Sequence, residues 1–253
     1  MTLPFLLSLP HCAANVPWWL EEQLALDHGE IYESVDMGSD EVFGSLPARR
    51  VIKAEFSRLV VDLNRGADQS GAKGVIAQTD YHGRRIYLSG RYPDPGQRAK
   101  LLDQCYHPFH EKLSSALADP GVQALFDCHS LEGTGPCDAP DAGEKRRDIV
   151  LSNNGDERGR KQKNSSGITC PPKTLALVRR AFVSQGFSVA VNVPYKGGFI
   201  TRHYGQYLME KKKFALQIEL NQDLFLLSGK TVLDNDKIAS TRKRVHAALA
   251  GIF

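Results

Sequence analysis

Apolar residues gather into short runs that stop at polar ones: residues 5–9, 58–63, 124–126, 188–193 and 214–220. Their length and β-branched content predict strands, some of them buried on both faces. Between these runs the spacing changes. Residues 96–118 carry Leu101, Leu102, Cys105, Phe109, Leu113 and Leu117 at roughly helical intervals and stop at Asp119-Pro120-Gly121, with Pro108 placed to kink the helix. Residues 171–185 start at a proline pair and end before Gly186, and residues 240–253 predict a basic amphipathic C-terminal helix. Strands alternating with helices predict an α/β fold, a central sheet flanked by helices. No repeat or interdomain linker interrupts residues 1–253, so a single domain is expected.

Residues 133–167 have a different composition, rich in glycine, proline and clustered charge, and predict a solvated surface loop or a loop that covers the substrate. Nucleic-acid contact is a poor reading of it, because acids interleave the bases and no aromatic is present to stack on.

With 42% hydrophobic and 24% charged residues, the 253-residue chain has the composition of a globular protein with a sizeable core. Its net charge of +3 is too mild for a nucleic-acid footprint and would not repel an acidic small-molecule substrate. The five cysteines are odd in number and form no CxxC pair, which argues against a disulfide framework or a cysteine-built zinc site and points to a reducing cytoplasm. Pro10 and His11 cut the first apolar stretch short, no basic region precedes it, and no later run approaches the roughly 18 apolar residues of a membrane span. The expectation is a cytoplasmic protein with no nucleic-acid or membrane partner, a monomer or small homo-oligomer.

Open α/β sheets bind ligands beyond their strand ends, so chemistry should collect there. His11 in "SLPHCAANVP" follows the first predicted strand and His129 in "ALFDCHS" follows another, so two distant imidazoles could meet at one sheet edge. Asp40 in "MGSDEVFG" or Asp36 in "ESVD" could add a carboxylate, and two imidazoles with one carboxylate leave a zinc ion one open position. His82, His107 and His110 are further candidates, and a hydrogen-bonded structural role competes for every one of these histidines. The run "EFSRLVVDLNRGAD" delivers Asp62, Asn64 and Arg65 together, with Arg58 just before them. An arginine fork beside an amide suits a carboxylate. "NVPYKGGFITRHYGQ" places Lys196, Arg202, His203 and Tyr204 on what reads as a flexible turn, and "FALQIELNQ" buries Glu219 in an apolar strand. A buried glutamate is costly unless it is paired or works as a base.

Taken together, "SLPHCAANVP", "GSDEVFG", "SRLVVDLNRGAD", "DCHS", "YKGGFITRHYG" and "ALQIELNQ" span most of the chain and resemble, in order, the N-formylglutamate amidohydrolase family. That family is similar to the zinc carboxypeptidases and aspartoacylases, so the resemblance implies a zinc-carboxypeptidase-like (phosphorylase/hydrolase-like) mixed sheet. The activity implied is hydrolysis of N-formyl-L-glutamate, or another N-acyl amino acid, in histidine degradation. It further implies that His11, Asp40 and His129 hold one zinc ion, a site other divalent metals could also fill. Glu219 is then the general base and Arg58 the group that polarises the scissile carbonyl. Asn64 and Arg65 hold a substrate carboxylate, with Arg202 as a second anion contact. The chain departs from the family at Cys12 and Ala13, where small residues usually follow the histidine; a Cys12 thiolate would compete for the metal.

Two other classes deserve weighing. Cys128 beside His129, or Cys12 beside His11, suggests a cysteine hydrolase, but neighbours on a strand point to opposite faces. A non-catalytic anion-binding protein could use Arg242, Lys243 and Arg244, a run that a solvated helix face explains more simply.

Overall fold

The computed structural model describes residues 2–163, 165–227 and 231–253. In chain order the elements are β1 (Leu3–Leu9), α1 (Trp18–Glu21), α2 (His28–Glu33), α3 (Ser39–Phe43), β2 (Ala48–Lys53), α4 (Pro95–Leu101) and α5 (His107–Leu117). There follow β3 (Ala124–Leu131), β4 (Ile149–Ser152), α6 (Pro172–Ser184), β5 (Val189–Val191), α7 (Phe199–Glu210), β6 (Phe214–Asn221) and α8 (Asn235–Ala250). The strands form one sheet in the order β2-β1-β3-β6-β4-β5, parallel throughout except where β4 runs antiparallel to β6. No helix among the described residues is long and apolar enough to cross a membrane.

Helices cover both faces of the sheet, which is why β1, β3 and β6 are buried almost end to end. On one face Phe5, Phe126, Leu216 and Ile218 pack against α3, α6 and α8, and Phe5 meets Phe126 edge to face with ring centroids 5.1 Å apart. On the other, Leu6, Leu125 and Ala215 pack against α5 and α7. The chain leaves β1 for β2 on one side and returns to β3 on the other. This reversal of strand order opens a crevice at the carboxyl ends of β1 and β3.

Four of the five apolar runs are strands, and residues 58–63 are not. They form a buried turn in which Val60 N–H donates to Ser57 O and Asp62 N–H to Val75 O, while Leu59, Val60, Val61 and Leu63 fill the α5-side core. Core burial produces the same apolar run whether the backbone is extended or turned. The edge strand β2 instead has the mostly solvent-facing sequence ARRVIK. Residues 133–167 are not one surface loop, because the fully buried β4 passes through them. The "YKGGFITRHYG" stretch is a turn only up to Gly198; Arg202, His203 and Tyr204 lie on α7. Between α4 and α5 the helix widens into a π-type turn over Leu102–Tyr106. Pro108 has no N–H and its ring crowds the preceding carbonyls, so the bend expected there is taken up by this turn.

Helix α5 fixes the position of residues 62–65. His110 Nε2 donates to Leu63 O at 3.0 Å, and its Nδ1 accepts from the Tyr204 hydroxyl at 2.9 Å. The Tyr106 hydroxyl donates to Arg65 O at 2.8 Å. A neutral imidazole satisfies both partners of His110, and burial lowers its pKa to about 4. The unfolded chain, with the ordinary value of 6.5, therefore binds more protons between these limits, and stability is lost as pH falls from about 6.5 towards about 4. His110→Gln keeps a donor and an acceptor but cannot titrate. Between pH 7 and pH 4 the wild type should lose up to about 3 kcal/mol more stability than this variant, measured by urea unfolding. Equal losses in the two proteins would show that His110 does not stay neutral in the fold.

Candidate active site

In-register neighbours on parallel strands share a face, and here they carry the chemistry. Ser8 pairs with Asp127, Asp127 with Gln217, and His129 with Glu219. Two residues earlier on the same face stand Leu6, Leu125 and Ala215. This face therefore changes from apolar to polar at the carboxyl ends of β1, β3 and β6, where the crevice opens.

His11 lies two residues beyond β1, and its carbonyl accepts the Asp36 N–H at 2.9 Å, which ties the segment before α3 to the strand end. The two imidazole rings stand 4.9 Å apart. Asp36 Oδ2 lies 2.8 Å from His129 Nδ1 and 3.5 Å from His11 Nδ1. Each outer nitrogen has its own carboxylate: His11 Nε2 to Asp62 at 2.8 Å, and His129 Nε2 to Asp127 at 3.3 Å. All of these side chains are buried. Arg58 lies across the group, 3.4 Å from Asp36 and 3.2 Å from Asp62.

Burial alone would raise the Asp36 and Asp62 carboxyls, yet the histidines and Arg58 hold both below the usual range. Burial would likewise lower His129, but Asp127 and Asp36 outweigh it and hold it well above its ordinary value. For Glu219 desolvation, with Asp36 and Asp127 nearby, outweighs the pull of His129 and Arg58 and pushes it up to about 8.

This arrangement fits a divalent metal. Buried His11 Nδ1 has no hydrogen-bond partner among the described residues, and the coordinating atoms of His11, Asp36 and His129 lie within 4.8 Å of one another. Two imidazoles and a carboxylate are a zinc-type donor set, and a carboxylate on the far nitrogen of each ring is the usual way a metal-ligating histidine is oriented.

The expected acidic ligand was Asp40, four residues further on. Asp40 lies inside α3 and its carboxylate pairs with Lys53 on β2, so it is turned away from the histidines. Gly38, with φ +74°, makes the turn that separates it from Asp36. Cys12 does not compete for a metal: its thiol donates to Leu9 O at 3.3 Å, and burial pushes its pKa up to about 12. Cys128 packs on the opposite sheet face from His129, with its thiol also raised by burial, which leaves neither pair arranged as an activated nucleophile.

Above the cluster lies a cleft of about 410 Å³, lined by His11, Asp36, Arg58, Arg65, His129 and Glu219 among others. Pro136, Asp138 and Ala139 form part of its wall. A larger groove of about 670 Å³ runs beside β5 and α6 but contains none of the buried cluster. Gln217 donates to Glu219 Oε1 at 2.8 Å and accepts the Gly198 N–H at 2.6 Å, which leaves the other Glu219 oxygen for the cleft. The expected Asn64-Arg65 pair divides. Both line the cleft, but Asn64 is locked, its oxygen accepting from Ile200 N–H at 2.8 Å and its nitrogen 3.2 Å from His129 Nε2, so Arg65 is the one with donors to offer. Gly198 has no room for a side chain, because a Cβ there would stand 2.2 Å from the Asn64 amide. Arg202 is exposed on α7, donates to Gly198 O, and does not line the cleft.

The family model described as N-formylglutamate amidohydrolase matches residues 3–226. The chain belongs to this family of amide-hydrolysing enzymes. It is 28% identical over 242 residues to an N-formylglutamate deformylase of Pseudomonas aeruginosa, covering 88% of the chain and 82% of the relative. A second N-formylglutamate deformylase, from Pseudomonas putida, is 27% identical over 238 residues with the same coverage. The fold is similar to a crystal structure of an N-formylglutamate amidohydrolase from Ralstonia eutropha JMP134, with a TM-score of 0.75 at 20% identity, over 98% of this chain and 92% of that one.

Within this amidohydrolase, Asp127 and Gln217 were not singled out from the sequence, although each stands two residues before a candidate, on the same strand face. That period of two was the available signal. The contrast between the neighbouring aspartates is directly testable. Asp36→Asn should lose stoichiometric metal on elemental analysis after dialysis, whereas Asp40→Asn should keep it; Asp127→Asn, which removes the carboxylate behind His129, should weaken metal affinity about 10- to 100-fold. Full metal retention by Asp36→Asn would remove it from the ligand set.

Proposed function

We propose that this protein hydrolyses N-formyl-L-glutamate to formate and L-glutamate, with one zinc ion held by His11, Asp36 and His129. The single observation that supports this most is the pairing of Glu219 with His129 across β6 and β3, which sets a buried carboxylate beside a His-Asp-His cluster in a chain of this family. A zinc ion there would supply Lewis acidity, acidifying water and polarising a carbonyl oxygen.

The chain's own residues do the rest. Glu219, with one oxygen held by Gln217 and its pKa raised to about 8, is a stronger base than an exposed glutamate. It removes a proton from the water whose oxygen attacks the formyl carbon. Arg58 is fixed between two carboxylates with donors to spare, and it stabilises the oxyanion of the tetrahedral adduct. Glu219 then returns the proton to the substrate nitrogen as the C–N bond breaks, which releases formate and a free amine. Arg65 at the cleft wall takes the α-carboxylate and orients the amide, while Asn64 acts by positioning through Ile200 and His129.

Zinc-loaded protein should release equimolar formate and free amine from N-formyl-L-glutamate, lose this activity with a chelator, and regain it with zinc. Glu219→Gln should retain the metal while kcat falls about 10²- to 10⁴-fold. Formate release undiminished in Glu219→Gln would assign the base elsewhere, and no release by the wild type would reject the reading.

A further inference from the structure

Five cations line the cleft walls, and four of them are already paired. Arg58 lies between Asp36 and Asp62, Arg65 Nε is 3.8 Å from Asp62, Lys73 is 3.0 Å from Asp138, and Arg146 holds Asp141 at 2.7 Å. Lys196 is different. Its Nζ donates to the neutral amide oxygen of Gln162 at 3.0 Å, and no carboxylate among the described residues lies within 4.0 Å of it.

The backbone beneath Lys196 is held on both sides. Its carbonyl accepts the Asn154 N–H at 2.7 Å, and the preceding Tyr195 carbonyl accepts the Ser152 hydroxyl at 2.7 Å. Gly197 takes φ +116°, which a residue with a side chain rarely adopts. Two residues on, Gly198 donates to Gln217, the residue that holds Glu219, and abuts Asn64, the neighbour of Arg65. Arg65 and Lys196 thus line the same cleft, each within two residues of one contact, Asn64 against Gly198, to which Glu219 is tied through Gln217.

We propose that Lys196 is a specificity-determining residue that binds the second, side-chain carboxylate of the substrate, so that the cleft selects N-formyl amino acids bearing two carboxylates. The proposal rests on the deformylase reading for the identity of the reaction and on Arg65 for the first carboxylate. Arg202, the cation expected for this task, lies outside the cleft. A lysine with only a neutral partner gives up one amide hydrogen bond to take a carboxylate, whereas Lys73 and Arg146, the other two cleft cations without a role in the reaction, would each have to leave a close ion pair.

The test compares N-formyl-L-glutamate with its neutral isostere N-formyl-L-glutamine, in zinc-loaded wild type, Lys196→Met and Lys196→Arg. In Lys196→Met the preference for the glutamate derivative, as a ratio of kcat/KM, should fall at least tenfold, mainly through KM; Lys196→Arg should keep most of it. The preference should also shrink with added salt in the wild type but not in Lys196→Met. An undiminished preference in Lys196→Met, or equal losses on both substrates, overturns the proposal. Calorimetric binding of glutarate, against butyrate as the monocarboxylate control, separates this outcome from the fate of the reaction. If the wild type releases no formate yet glutarate binds at least tenfold more weakly to Lys196→Met, the deformylase reading falls and the Lys196 assignment stands. If formate is released and glutarate binds both proteins equally, the assignment falls and the reading stands.

Discussion

Four carboxylates, Asp36, Asp62, Asp127 and Glu219, are buried at the end of one sheet face, and the rest of the site answers to that concentration of negative charge. Buried carboxylates persist only where positive charge or hydrogen-bond donors meet them. Arg58 spans Asp36 and Asp62, the two imidazoles meet Asp36, Asp62 and Asp127, and Thr201 and Ser8 donate to Asp127. Two ring nitrogens still face a single oxygen of Asp36, an arrangement that a shared cation completes. The pull that raises His129 is the same pull that would hold a metal, so proton and metal compete for one place.

Rigidity follows from how the polar groups are shared. Asn64 uses its amide to join the start of α7 to His129, and Gln217 uses its amide to join Gly198 to Glu219. Both links cross from a loop to a sheet strand. Side chains on the central strands therefore set the cleft floor, and the loops after β5 and around residue 65 are fastened to it rather than left to find it. His110 on α5 and Tyr106 at the end of the π-type turn before it extend the same fastening outward by holding the carbonyls of Leu63 and Arg65. Cavities and strain cost most where such links meet, which makes Gly198 a position with little tolerance for change.

Much of this was legible along the chain. The strand runs at 5–9, 124–126 and 214–220 are read from composition because strands covered on both faces need apolar residues at every position, and His11, His129 and Glu219 stand out as polar groups where those runs end or are interrupted. Local stop signals such as the proline pair before α6 and the Asp119-Pro120-Gly121 turn after α5 fix helix limits through φ restriction alone. These features depend on near neighbours, so one dimension suffices for them.

The tertiary structure alone decided which of two aspartates four residues apart faces the histidines. Asp36 precedes the Gly38 turn and Asp40 follows it, and only the packing of α3 against β1 and α8 gives that turn its direction. It also decided that residues 58–63 are a buried turn, that β4 lies within a stretch of loop-like composition, and that the Asn64 amide is taken up as a structural link beside the cleft-lining Arg65. In each case the outcome depends on a partner far away in sequence: Val75 for Asp62, β6 for β4, Ile200 for Asn64. Sequence determined which residue types could do chemistry and where strands would end. Which of them meet was set by strand order and register, because a pairing across the sheet is a property of two segments and is written in neither one.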